Sequence, residues 1–262
     1  MLTGVASVSF RKNSVEEIIR AAKAAGLQGI EWGSDVHVPA GDVPCAREVR
    51  RLTEEAGMQV TSYGTYYYLG ESKDPLREFE SVLQSAEALG VTVVRIWGGK
   101  KGSAELSEDE FAALAKEAQQ LCDLAAKKNM LVSLECHNNT VADEYHAELR
   151  FLETVNRPNM TTYWQPNQNC SEAYNLDSIH ALAKYITNLH VFHIRRESDG
   201  SITSFPLEDG ADVWHRYLSL VRQTAAPKSA LIEFVYDNRI ETLASTAKTL
   251  TDWVHSELPA QN

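Results

Sequence analysis

The sequence predicts an α/β fold, a (β/α)8 TIM barrel forming a single domain over residues 1–262. Three observations carry that expectation. Short strand-like apolar runs are each followed by a longer amphipathic stretch, eight times along the chain. Eight such units match the roughly 250 residues this barrel ordinarily takes. No linker, low-complexity block or shift of composition divides the 262 residues. A doubly wound open sheet is the competing fold, but no G-x-G-x-x-G follows the first run.

The elements follow in order. The first strand is read in GVASVSF at 4–10. Ser14 and Glu17 then form a capping box, and Gly26 stops the helix. LQGIEW at 27–32 is the second strand, and the helix in CAREVRRLTEEA, a solvated charged face, ends at Gly57. QVTSY at 59–63 is the third strand. Asp74-Pro75 opens a helix with proline at its first position, ending at Gly90. TVVRIW at 92–97 is the fourth strand, and Ser107 with Glu110 opens a helix reaching Asn129. MLVSLE at 130–135, MTTYW at 160–164, NLHVF at 188–192 and ALIEF at 230–234 complete the strands. Helices are expected over 143–155, 177–184, 214–223 and 241–258.

A barrel of this kind places chemistry at the C-terminal ends of its strands, so polar residues there are informative. Glu135 closes an otherwise apolar run, and an unpaired buried carboxylate is costly. Strand alternation sets Val132 and Leu134 toward the helices and Glu135 inward. The same parity turns His190 and Glu233 inward, with Gln165 just past the sixth strand. Two carboxylates and an imidazole at one end suit a divalent cation, and Gln165 could add a carbonyl oxygen. Without a cation the two glutamates would repel, and one would take up a proton. Trp164 has the opposite parity to Gln165 and reads as core, whereas Trp97 fits either the core or a rim on which a sugar stacks. The histidines at 146, 180, 215 and 255 fall on helices and read as surface.

Bulk properties narrow the function. The formal charge of −11 disfavours polyanionic partners, so no nucleic-acid substrate is expected. No run reaches the ~20 apolar residues of a membrane span. The start of the sequence, MLTGVASVSF, lacks a basic segment before a long apolar one, which predicts a cytoplasmic protein. Cys45, Cys122, Cys136 and Cys170 form no C-x-x-C pair and read as free thiols of a reduced compartment.

At the level of motifs the chain resembles the sugar phosphate isomerase/epimerase superfamily, the xylose-isomerase-like barrels, over essentially its whole length. GIEWGSDVHVP is similar to the strand-two segment, SLECH to the strand-five segment and YITNLHVF to the strand-seven pattern. PLEDGADVWHRYL resembles the loop that follows, and ALIEFV the final strand. The resemblance implies a metal site on Glu135, His190 and Glu233, holding Mn²⁺, Mg²⁺, Co²⁺ or Zn²⁺. Its fourth ligand is an aspartate in the family, and Gln165 stands there in this chain, a neutral and weaker donor. The lysine and aspartate often found just after the strand-seven histidine are replaced by Phe192 and His193.

The function implied is a metal-dependent isomerase or epimerase of a sugar or sugar derivative. It would remove the proton alpha to a carbonyl, with Glu135 and Glu233 as acid–base pair. His37, Trp97, Lys100, His137, Gln168, His193 and Arg195 are the candidates for substrate contacts, Lys100 and Arg195 foremost for an anionic substrate. A dehydratase or lyase would share the first proton abstraction. A metal-free, non-catalytic sugar-binding relative is the other alternative. The abasic-site nucleases of the same superfamily need more metal ligands and a basic groove. Many barrels pair as homodimers, but the sequence offers no unambiguous apolar patch for this.

Overall fold

Alternating apolar runs become strands only if their two faces find different partners, one the barrel lumen and the other a layer of helices. In the computed structural model, which describes residues 1–197, 199 and 201–256, the predicted runs do so. The barrel strands are β1 (Leu2–Ala6), β2 (Gly29–Gly33), β3 (Gln59–Tyr68), β4 (Val93–Trp97), β5 (Leu131–Glu135), β6 (Met160–Trp164), β7 (Ile186–Val191) and β10 (Ser229–Ile232). They close in the order β1-β10-β7-β6-β5-β4-β3-β2, every pairing parallel. The helices between them are α1 (Val15–Ala24), α2 (Val43–Glu55), α3 (Pro75–Leu89), α4 (Glu108–Ala126), α5 (Tyr145–Val155), α6 (Glu172–Leu182), α7 (Ala211–Thr224) and α8 (Leu243–His255). The capping boxes at Ser14/Glu17 and Ser107/Glu110 are both formed.

Several boundaries differ from the sequence expectation, each for a local reason. β1 ends at Ala6, and Ser7–Phe10 turn into a 3-10 helix. Their hydroxyls have work there: Ser7 Oγ accepts from the Gly33 N–H and Ser9 Oγ from the Phe234 N–H. β3 runs past 63 to Tyr68, with a shift of register against β4. α6 begins at Glu172 rather than 177, because Ser171 caps it by accepting from the Tyr174 N–H. β10 stops at Ile232; Phe234 has a φ of 62°, which a strand cannot hold. The expected end of the last helix at 258 lies outside the described residues. A hairpin of β8 (Ile194–Arg196) and β9 (Ile202–Ser204) was not expected, although S-D-G between two alternating runs is a turn signal.

The helix-facing side chains, Ile30, Trp32, Ile96, Val132, Leu134, Leu189 and Ile232 among them, are fully buried in one continuous core. Trp164 is part of it, with its indole N–H donating to Ser178 Oγ. Low in the lumen, Val93, Tyr163 and Leu231 pack together. Above them the lumen turns polar. Register sets Trp97 beside Glu135, Glu135 beside Tyr163, and Leu231 beside His190. The charged groups therefore meet at the C-terminal mouth.

Candidate active site

Glu135, His190 and Glu233 converge at this mouth, all buried, with one potential ligand atom from each within 4.8 Å of the others. His190 Nδ1 lies 3.5 Å from Glu135 Oε1 and 3.3 Å from Glu233 Oε2. It is 3.1 Å from Gln165 Oε1. The Gln165 amide is oriented by its other end, since Nε2 donates to the Cys136 carbonyl at 2.8 Å. A carbonyl only accepts, so the amide oxygen must face His190. Two ligands bound at right angles about 2.0–2.2 Å from an ion stand ~3 Å apart. Oxygens of Gln165, Glu233 and Glu135 stand 3.1, 3.3 and 3.5 Å from His190 Nδ1, a spacing that fits donors sharing a divalent cation.

Two further charged residues complete the centre. Arg95, on β4, is buried, pairs with Glu135 Oε2, and has its Nε 3.7 Å from Glu31 Oε1. Its guanidinium is flanked by the rings of Tyr66 and Trp97, at 5.8 and 5.5 Å. Glu31, on β2, stands behind His190, with Oε1 3.6 Å from Nε2. Ser62 Oγ and Tyr163 OH both donate to Glu31 Oε2 at 2.8 Å. A glycine is required opposite: a Cβ on Gly64 would stand 2.7 Å from Glu31 Oε1 and 2.9 Å from Arg95 Nη2.

The electrostatics separate the two glutamates that the sequence treats as equivalent. Burial disfavours the anion of Glu135, but Arg95, then His190, outweigh it and hold the group below the usual carboxylate range. Glu233 moves up: burial outweighs the pull of His190, and repulsion from Glu135 adds to it. Burial would lower His190, yet Glu233, Glu135 and Glu31 together raise it. The centre thus holds one carboxylate clamped by arginine and one left free.

Above it opens a cavity of about 250 Å³, walled by Arg11, Tyr66, Arg95, Trp97, His137 and Gln168 among others. Of the residues expected at a substrate, Trp97, His137 and Gln168 reach this cavity. His137 packs edge-on to Trp97, and its Nδ1 meets the Asn138 carbonyl at 2.9 Å. His37, Lys100, His193 and Arg195 are not brought to it. His37 is buried against Trp32 and contacts the Asn13 carbonyl at 3.1 Å. Lys100 is exposed and pairs with Glu71. His193 packs on Phe205, and Arg195 pairs with Glu197 on the hairpin. Among the described residues the cations at the cavity are Arg95 and Arg11, the latter paired with Asp35 and Tyr66 OH. Arg95 and Glu31 carried a legible signal, because each interrupts an apolar strand with inward parity. Arg11 follows the unexpected 3-10 turn and carried none.

A family model described as the xylose isomerase-like TIM barrel matches residues 19–254. A 3-dehydroshikimate dehydratase of Bacillus anthracis is 26% identical over 285 residues, covering 96% of this chain and 97% of that protein. Among solved structures, the IOLI protein with a bound zinc atom superposes at a TM-score of 0.78, with 15% identity and all of both chains covered. A D-psicose 3-epimerase crystallised in the presence of D-fructose gives 0.71, with 15% identity over 97% of this chain and 99% of the other. At such identities the structural likenesses establish the fold.

Proposed function

This chain belongs to the xylose isomerase-like TIM barrel family, and on that premise we propose that it is a metal-assisted dehydratase of a small, anionic hydroxy-ketone. The reading rests on one observation: Glu135 is clamped by Arg95, while Glu233 faces the cavity with no arginine paired to it among the described residues.

Glu135, Gln165, His190 and Glu233 would hold the cation. When bound, it polarises the substrate carbonyl and offsets the charge that builds on its oxygen. Glu233 takes the proton alpha to that carbonyl, and the C–H electron pair forms the enolate double bond. The pair then expels the hydroxyl on the next carbon. Glu233 returns its proton to the departing oxygen, so one water leaves and one C=C bond remains. A single mobile carboxylate suffices for this sequence, whereas epimerisation needs a second acid on the opposite face. Glu135, held as an anion, serves as ligand. Arg95 and Arg11 favour a substrate that bears a carboxylate, as 3-dehydroshikimate does. The full-length dehydratase relative points the same way.

A second reading, an isomerase or epimerase of ketoses, draws on the position of both carboxylates within 3.5 Å of His190 Nδ1. One assay separates the two. Mn²⁺-loaded protein is given 3-dehydroshikimate, whose dehydration creates an aromatic ring visible by ultraviolet absorbance, and in parallel D-fructose in D2O. The dehydratase reading expects turnover of the first, with kcat lowered about 10²–10⁴-fold in Glu233→Gln. Deuterium uptake by the ketose, with the acid untouched, would install the second reading instead.

A further inference from the structure

We propose that Glu31 is a positioning residue for the cation site, supplying behind His190 the negative charge that Gln165 does not supply in front. The proposal rests on the metal-assisted reading above. Glu31 does not wall the cavity and takes no part in proton transfer there. Its Oε1 faces His190 Nε2 at 3.6 Å, on the ring edge opposite Gln165, and Nε2 has no hydrogen-bond partner among the described residues. Its other oxygen is held by Ser62 and Tyr163, so the carboxylate cannot turn away. Gly64 leaves the space that it and Arg95 occupy. The floor of the mouth is thus shaped around a carboxylate aimed at the far nitrogen of a candidate ligand.

The consequence is chemical. A carboxylate behind a ligating imidazole keeps the proton on the far nitrogen, leaves the near one bare and raises its donor strength. Loss of such a partner typically weakens metal binding 10–100-fold. With Gln165 neutral, the donor ring carries only the charges of Glu135 and Glu233, and Glu31 restores a third at one imidazole's remove. A rival role exists for Glu31, as a mere counter-ion to Arg95, and it predicts no effect on the cation.

Mn²⁺ binding by titration calorimetry on the parent, Glu31→Gln, Gln165→Asp and the double variant tests this. The expected result is a 10–100-fold loss in Glu31→Gln, with most of it recovered when Gln165→Asp is added. In the Zn²⁺-loaded parent, ¹⁵N NMR should find His190 protonated at Nε2 and ligated at Nδ1, a measurement that stands even where Glu31→Gln fails to fold. Parent-like affinity in Glu31→Gln, no recovery in the double variant, or ligation through Nε2 would each overturn the proposal while leaving the cation in place. A parent that binds no divalent ion would remove the metal reading itself.

Discussion

Arg95 brings a permanent charge into the barrel mouth, where water is nearly excluded, and what makes this tolerable is the company it keeps. Glu135 and Glu31 face it, and the rings of Tyr66 and Trp97 flank it. Removing one partner of such a set strands the others. Arg95→Leu would leave Glu31, Glu135 and Glu233 around a single imidazole. It is expected to lose about 3–5 kcal/mol of stability, read as the shift of the urea midpoint at constant slope. Arg95→Lys keeps the charge without the planar fork and should fall between the two. Equal midpoints for parent and Leu variant would mean that Arg95 does not hold these acids.

At the scale of elements, the interplay of α5 with the barrel wall yields a pH effect. Glu148 lies on the buried face of α5, with Thr162 Oγ1 against one oxygen and no partner for the other among the described residues. Burial pushes it up to about 8. A carboxyl raised in the folded state contributes fully below its unfolded value, near 4.5. That contribution is lost as the pH rises through about 8. Glu148→Gln removes the ionisation and keeps an acceptor for Thr162. Its stability relative to the parent, read from the melting temperature, should therefore climb between pH 5 and 9, gaining about 1–3 kcal/mol at the alkaline end, the scale of an unpaired buried polar group. A difference that does not change with pH would show that Glu148 is not the group responsible. Helix starts with a side-chain oxygen in register, such as Ser14 and Ser107, were legible because the cap and its third residue lie close in sequence. Boundaries set from afar were not. β1 stops at Ala6 because Ser7 and Ser9 serve the backbone of β2 and of the turn after β10, residues up to 225 positions away. Phe234 is driven to a φ of 62° at that same junction.

The whole barrel explains why the candidate donors were legible and the cavity walls were not. Parity and strand order are periodic properties, so Glu135, His190 and Glu233 could be aligned by counting. Lys100 and His193 sit in loops and Arg195 on the β8–β9 hairpin, whose paths no period fixes, and among the described residues the positive charge at the cavity comes instead from Arg11 and Arg95. The four candidate donors belong to four consecutive staves, β5, β6, β7 and β10, or the turns just beyond them, separated by up to 98 residues (233 − 135). A cation gripped there ties half the barrel together, and the unfolded chain does not present that arrangement. Binding to the folded form alone raises stability by RT ln(1 + [L]/Kd), about 2.7 kcal/mol at a free ion concentration one hundred times Kd. For a chain of this size that corresponds to about 5–10 °C. Chelator-treated protein should therefore melt higher on addition of Mn²⁺, and Co²⁺ should reach the same rise at lower concentration, as an imidazole-containing site prefers. His190→Ala should melt at one temperature with or without the ion. A parent that shows no rise with either ion at millimolar concentration would mean that the four staves meet without gripping anything, and the chemistry assigned to Glu233 would have to proceed unaided.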